Sequence, residues 1–250
     1  MAKRFEEMLK ETNKRLQKFI PNENDKICRY LDFPKFMSLL VNKSLFFTRA
    51  DKFEDPLEGE VPEQYLKKFF DIESPFAQYF GYDVESEKVR VLESYYQEKE
   101  KTFVNCWTIY DTESYALWKI YSEKNGVAIQ TTVGKMKEIT ATAGAEIFKV
   151  QYIDNNEQDL FIPTNKRLYD NFFVFKRAHY KYENEIRAII SGIEAEFQEV
   201  RIHELSYFID KIIVSPFADE WFVKLVRNVT AKFGLGNIEV EDSYIEVKKN

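Results

Sequence analysis

The sequence predicts an α+β fold: a mixed or split central β-sheet, helical insertions, and a strand, helix, strand extension at the C-terminal end. Three observations carry this expectation. Residues 26–49 read as strand, helix, strand within little more than one helical crossover's length. Residues 211–240 repeat that rhythm near the end of the chain. Between them, β-branched and aromatic runs alternate with amphipathic stretches, and hydrophobic residues amount to 44% of the 250 with aromatics at 16%. That much apolar surface excludes a disordered chain, and the 8 Gly and 7 Pro exclude collagen-like or low-complexity designs.

Phe5, Met8, Leu9, Leu16, Phe19 and Ile20 recur at helical spacing, so residues 3–20 are expected to form an amphipathic helix ended by Pro21. Residues 1–25 are taken as this helix and a connector, and 26–250 as a single α+β domain. Lys26 to Leu31 reads as a strand, and Asp32 as the cap of a helix running to Asn42 with Phe36, Leu39 and Leu40 inward. Ser44 to Arg49 returns as a strand, which is expected to set Arg29 beside the Thr48 region at one sheet end. Residues 50–62 form an acidic loop, and helices at 62–71 and 85–101 form the insertion, the latter with Val89, Leu92 and Tyr96 on one side.

Further on, Thr102 to Thr108 is a strand, and Asp111 or Thr112 caps a helix in which Leu117, Trp118 and Tyr121 share a face. Val127 to Thr132 and Glu146 to Ile153 are strands, 164–178 is a helix rich in phenylalanine and basic residues, and Tyr182 to Ile190 is a strand. Lys211 to Pro216, a helix over 219–233, and Ile238 to Val240 close the chain.

The charge balance of 36 basic and 42 acidic residues gives a net charge of −6, so no global positive field gathers nucleic acid. No apolar run approaches the ~20 residues of a membrane helix, and the N-terminus has no secretory apolar stretch. Cys28 and Cys106 are too few for a disulfide framework, which fits a reducing compartment, and the cytoplasm is the expected location. With His179 and His203 the only histidines, zinc chemistry of the multi-histidine type is excluded; Walker, Gly-x-Gly-x-x-Gly and Gly-x-Ser-x-Gly patterns are absent.

On a strand over 182–190, a period of two places Glu183, Glu185 and Arg187 on one face. That face is either solvated or the wall of a cleft in which Arg187 or Arg29 compensates a working glutamate. Arg29, at a strand end, either holds a diphosphate or pairs with a carboxylate near Asp55. Asp55 and Glu58 are also hard oxygen ligands of the kind magnesium takes.

The ordered set Arg29-Tyr30, Leu45-Phe46-Phe47-Thr48, Phe53-Glu54-Asp55-Pro56-Leu57-Glu58, Cys106-Trp107-Thr108, Leu117-Trp118-Lys119-Ile120-Tyr121, Gly126-Val127-Ala128-Ile129 and Tyr182-Glu183-Asn184-Glu185-Ile186-Arg187 resembles a bacterial family of unknown function numbered 2971. Glu54 stands where that family usually has asparagine. More distantly, the order Arg29, Thr48, Glu185 is similar to that of ADP-ribosyltransferases, although Phe47-Thr48-Arg49 replaces their Ser-Thr-Ser and Tyr30 stands where glycine often follows the arginine.

The second resemblance implies NAD as the substrate. Arg29 would hold its diphosphate or ribose, and Thr48 with nearby aromatics would shape the nicotinamide pocket. Tyr30, Phe53, Asp55 and Arg187 belong to the same expected binding set. Glu185 would bind the ribose 2′-hydroxyl and stabilise the oxocarbenium-like centre, and Glu183 would orient the nucleophile. The setting implied is a bacterial toxin or phage-defence protein with a protein or nucleic-acid acceptor. The alternatives are a non-catalytic module binding a protein or small ligand, and a magnesium-dependent nuclease using Asp55, Glu58, Glu183 and Glu185.

Overall fold

The computed structural model describes residues 19–55, 58–60, 83–154 and 173–247. The expected helices over most of 3–20, over 62–71 and over the first part of 164–178 lie outside these residues; Phe19 and Ile20 themselves sit in a turn.

Strand β1 (Lys26–Asp32) runs into helix α1 (Phe33–Asn42), whose start is fixed by Asp32: its carboxylate accepts the Lys35 backbone N–H at 2.7 Å. Pro34 suits this first turn, where its missing N–H costs nothing. Phe36, Leu39 and Leu40 face the core, and Lys43 in the left-handed region (φ 49°) stops the helix ahead of β2 (Ser44–Arg49). After α2 (Val84–Lys99) come β3 (Phe103–Ile109), a helical turn (Tyr115–Leu117), a π-helical turn (Trp118–Ser122), β4 (Gly126–Thr132) and α3 (Val133–Thr140). The chain continues through β5 (Glu146–Lys149), β6 (Gln151–Ile153), β7 (Phe175–Arg177), a 3-10 turn (Ala178–Glu183), β8 (Glu185–Ile190) and β9 (Gln198–Arg201). Strand β10 (Lys211–Val214), helix α4 (Glu220–Lys232) and strand β11 (Glu239–Asp242) complete it.

The main sheet has the order β11-β10-β4-β1-β3-β2-β9, with β8 also on β3 and β5 beyond β8. Within this sheet, among the described residues, β10 and β11 pair in parallel, joined by the α4 crossover, and the other pairs are antiparallel, so the sheet is mixed. Its decisive feature lies at β3. Strand β8 pairs with β3 from Phe103 to Thr108, so β1 and β2 must share the opposite edge. Strand β2 takes the Phe103–Val104 end and β1 the Thr108–Ile109 end, and between them the sheet forks. Asn105 sits in the fork, its amide donating to the Phe46 carbonyl at 2.7 Å while its oxygen accepts the Trp107 indole N–H at 2.5 Å.

The main core lies on one face, where Ile186, Ala188 and Ile190 of β8 meet Phe103, Trp107, Phe36, Phe208, Phe222 and Val226. The opposite face of β3 and β8 carries Val104, Cys106, Glu185, Arg187 and Ile189, and there a second cluster forms with Tyr95, Phe148 and Phe173.

Several expectations are corrected. Arg29 and Thr48 are not on adjacent strands, because β3 intervenes. In α2 the inward residues are Leu92, Tyr95 and Lys99, a set at spacings of three and four; Val89 and Tyr96 are half exposed. Ser114, not Asp111 or Thr112, caps the turn before Trp118. The run from Glu146 breaks at Val150, whose N–H bonds to the Glu185 carbonyl. Residues 175–177 are strand rather than helix, paired in parallel with β6. Strand β8 begins only at Glu185, because Asn184 adopts φ 44° and the residues before it form the 3-10 turn.

Candidate functional site

A cavity of about 360 Å³ opens over the fork. Its walls come from β1 (Arg29, Tyr30), the end of β2 (Thr48), β3 (Cys106, Thr108), the acidic loop (Phe53, Asp55, Glu58), the π turn (Tyr121) and the β7–β8 segment (Lys176, Glu183, Glu185). The volume is at the small end of ligand pockets.

One end holds a buried charge cluster. Glu185 and Arg187 sit two residues apart on β8 and so share a face, as the strand period requires. Arg187 Nε donates to Glu185 Oε1 at 2.8 Å and Nη2 to Oε2 at 3.1 Å, while Nη1 donates to the Phe173 carbonyl at 2.6 Å. Nη2 also reaches Glu58, and the guanidinium lies 5.5 Å from the centre of the Phe53 ring. Lys176, from β7, sends its ammonium to Glu185 at 3.0 Å, to Glu58 at 3.6 Å and to Glu183. Glu183 comes from the last residue of the 3-10 turn, not from the strand, and takes a second hydrogen bond from the Tyr121 hydroxyl at 2.9 Å. The Tyr152 hydroxyl accepts the Glu185 backbone N–H at 2.8 Å, fixing where β8 starts.

All five charged side chains are at most 10% exposed. The charged face of this segment is therefore a cavity wall and not a solvated surface. Three carboxylates face two cations, leaving one negative charge uncompensated. Burial pushes the Glu183 carboxyl up, outweighing the hydrogen bond from Lys176. Burial pushes Glu185 in the same direction, but the Arg187 and Lys176 charges prevail and hold it down at about 2. Two neighbouring glutamates are thus pushed in opposite directions, Glu183 up by burial and Glu185 down by its cations, the pattern by which paired carboxyls come to take different roles.

Glu185 Oε2 accepts from both Arg187 and Lys176, and Oε1 from Arg187, beside the Cys106 thiol. A carboxylate offers about four acceptor positions, so one remains on Oε1 beyond the Arg187 and Lys176 bonds, with the Cys106 thiol the nearby weak donor that can compete for Glu185.

The other end holds Arg29. Its guanidinium is closely surrounded by protein, and burial lowers its affinity for the proton. Among the described residues no carboxylate or other side chain hydrogen-bonds to it, yet it lines the cavity and its nitrogens are not sealed from it. Pairing with a carboxylate near Asp55 is corrected here, since Asp55 is gripped by Arg177 through two hydrogen bonds of 3.0 and 3.2 Å. A half-buried cavity-lining guanidinium without a partner among the described residues is an anion-binding group.

Of the expected site residues, Arg29, Tyr30, Thr48, Phe53, Asp55, Glu183 and Glu185 all line this cavity, and Arg187 stands directly behind Glu185. Tyr30 is already occupied: its hydroxyl accepts the Ser114 N–H at 3.1 Å and its ring meets Trp118 edge-on at 4.8 Å. Lys176, Tyr121 and Cys106 escape sequence reasoning. Lys176 sits in a stretch whose composition reads as helix, and no local pattern distinguishes a buried lysine from a solvated one. Tyr121 was legible only as an apolar residue of a helix; the π turn is what brings it to Glu183.

Residues 117–188 match the model of the family described as Protein of unknown function (DUF2971). The matched stretch contains the acid pair together with Tyr121, Tyr152, Lys176 and Arg187, and leaves Arg29, Thr48 and Cys106 outside. No curated protein and no solved structure matches the chain.

Proposed function

We propose that the fork cavity binds NAD and that the chain transfers its ADP-ribosyl group to an acceptor. The observation that carries this reading is a guanidinium, Arg29, without a partner among the described residues, in the same cavity as two buried glutamates whose carboxyls are pushed in opposite directions, Glu183 up and Glu185 down. Arg29 takes the diphosphate. Glu185, always ionised, offers its remaining Oε1 position to a ribose hydroxyl and stabilises positive charge at the anomeric carbon. The carbon–nitrogen bond to nicotinamide breaks with its electron pair leaving on the ring nitrogen, which neutralises the ring. The acceptor's lone pair forms the new bond to the anomeric carbon, and its proton passes to Glu183. The cavity volume accommodates a nicotinamide ribose and phosphate, with the remainder of the dinucleotide at the mouth. The toxin or defence setting is carried by the resemblance described above.

The nuclease reading is disfavoured because each of its carboxylates is already engaged by a protein cation: Glu58, Glu183 and Glu185 share Lys176 and Arg187, and Asp55 is held by Arg177. A purely binding role is favoured by one fact, the near saturation of Glu185.

Calorimetric titration with NAD and chromatographic assay of released nicotinamide decide between them. Arg29→Gln is expected to weaken NAD binding about 10- to 100-fold, the worth of a charged hydrogen bond. Glu183→Gln is expected to keep binding and to slow ADP-ribosyl transfer, read as nicotinamide release, about 10²- to 10⁴-fold. Absence of heat at millimolar NAD sinks the proposal; binding without turnover leaves the binding module.

A further inference from the structure

Lys176 is the most connected charge in the cavity, and nothing in the resemblance assigns it a part. Its ammonium contacts Glu183, Glu185 and Glu58 at once and lies 4.9 Å from the centre of the Tyr180 ring. It is 7% exposed, so this is no solvated lysine that happens to lie near acids. Its strand, β7, belongs to the small parallel pair with β6 and not to the main sheet, so a separate element delivers it into the cavity.

We infer that Lys176 is the positioning residue of the site: its ammonium bridges Glu183 to Glu185 and, with the Tyr121 hydroxyl on the other Glu183 oxygen, fixes Glu183 as the group that takes the acceptor's proton. The inference rests on the transfer reading for the identity of that proton, but the bridge itself does not.

The physical argument is one of charge and geometry. Glu183 Oε2 is held by Lys176 from β7 and Oε1 by Tyr121 from the π turn. Glu185 faces it from β8, Tyr152 from β6, and Tyr180 and Tyr182 from its own 3-10 turn, while Glu58 and Arg187 act through Lys176 and Glu185. Of these, Lys176 is the sole cation touching Glu183 among the described residues. Arg187 already neutralises Glu185, so without Lys176 it is Glu183 that would face a second carboxylate across a buried space with no cation of its own, and it could not keep both its charge and its place. With it, Glu185 stays charged and Glu183 becomes the titrating member. Lys176 itself stays charged: burial disfavours its ammonium, but the Glu185 and Glu58 charges outweigh burial.

The test needs no turnover in its first arm. Protein carrying ¹³C-labelled glutamate carboxyls is titrated by NMR as wild type, Lys176→Met, Lys176→Arg and Tyr121→Phe. Removing an opposite charge at this range should raise the Glu183 midpoint by about one to three pH units in Lys176→Met. Lys176→Arg should restore most of that shift, and Tyr121→Phe should raise the midpoint by less. If Lys176→Met does not fold, Lys176→Gln, which removes the charge and keeps a hydrogen-bond donor, takes its place in the series with the same expected rise. A Glu183 midpoint that none of the three variants moves overturns the inference. In the second arm, the pH profile of nicotinamide release should shift in the same direction as the NMR midpoint. Should wild type release no nicotinamide while the carboxyl midpoints move as stated, the transfer reading falls and the bridge stands. A profile unmoved by Lys176→Met in an active enzyme removes the bridge and leaves the transfer reading intact.

Discussion

At the scale of single residues, the site turns on how many acceptor positions Glu185 has left. Its carboxylate is committed to Arg187 and Lys176 at three positions, and the fourth adjoins the Cys106 thiol, a weak donor that burial keeps protonated. Substitutions of nearly equal size at Cys106 should therefore diverge. Cys106→Ala leaves the position open and is expected to hold or improve NAD binding. Cys106→Ser supplies a stronger donor that caps Oε1, and a loss of about tenfold in affinity is expected, the worth of one hydrogen bond. Equal affinities for the two variants would show that no ligand reaches that oxygen. Arg29 illustrates the limits of reading one residue: the sequence places a guanidinium on a strand beside candidate acids, while the structure gives Asp55 to Arg177, 122 positions later, and gives Arg29 no side-chain partner among the described residues.

At the scale of elements, the local patterns that the sequence displays were enough for β1, α1, β2, β3, β4, β10, α4 and β11, each of which sends apolar residues into the main core, with β1, β3, β4 and β10 burying residues on their other face as well. They failed where the chain serves the cavity. The π turn, the break at Val150 and the left-handed Asn184 all interrupt a regular pattern, and each is set by a contact made from another part of the chain. Glycine at 126 shows how tightly such a junction is built. A Cβ there would lie 2.6 Å from the Leu31 carbonyl oxygen and closer still to that of Ser122. Backbone on both sides cannot yield, so Gly126→Ala is expected to destabilise by about 1–3 kcal/mol or more, and to loosen the turn carrying Tyr121. Urea denaturation measures the first effect; the second appears as a Glu183 carboxyl that titrates like that of Tyr121→Phe.

At the scale of the whole molecule, the buried cluster ties stability to pH in two opposite ways. Glu185 is held at about 2, below the value of about 4.3 for a free glutamate, so its contribution is complete above about 4.3 and is lost as pH falls towards about 2. Glu183 is raised, so the folded state holds its proton more tightly than the unfolded chain does. That contribution is present below the unfolded value and is lost as pH rises through the folded one. Glu183→Gln, whose amide oxygen can still accept from Lys176 while its NH2 donates to the Tyr121 hydroxyl, is expected to be at least as stable as wild type at pH 7 to 8. Glu185→Gln strips the buried Arg187 of its main partner and should cost about 3–5 kcal/mol at the same pH. Urea unfolding across a pH series checks both, and a Glu183→Gln variant that is markedly less stable at neutral pH contradicts the raised carboxyl.

Among the described residues no helix is long and apolar enough to cross a membrane. What the amino-acid order determined is the set of local patterns: which stretches alternate, which are amphipathic, where Asp32 starts a helix, and that two acids and an arginine recur at strand spacing near residue 185. What only the tertiary structure decided is the fork between β1 and β2, the arrival of Lys176 and Tyr121 from separate elements, and the division of the acids into one charged and one titrating group. The reason is that periodicity depends on neighbours a few positions apart, whereas burial and charge compensation depend on which distant segments meet, and no local pattern contains that information.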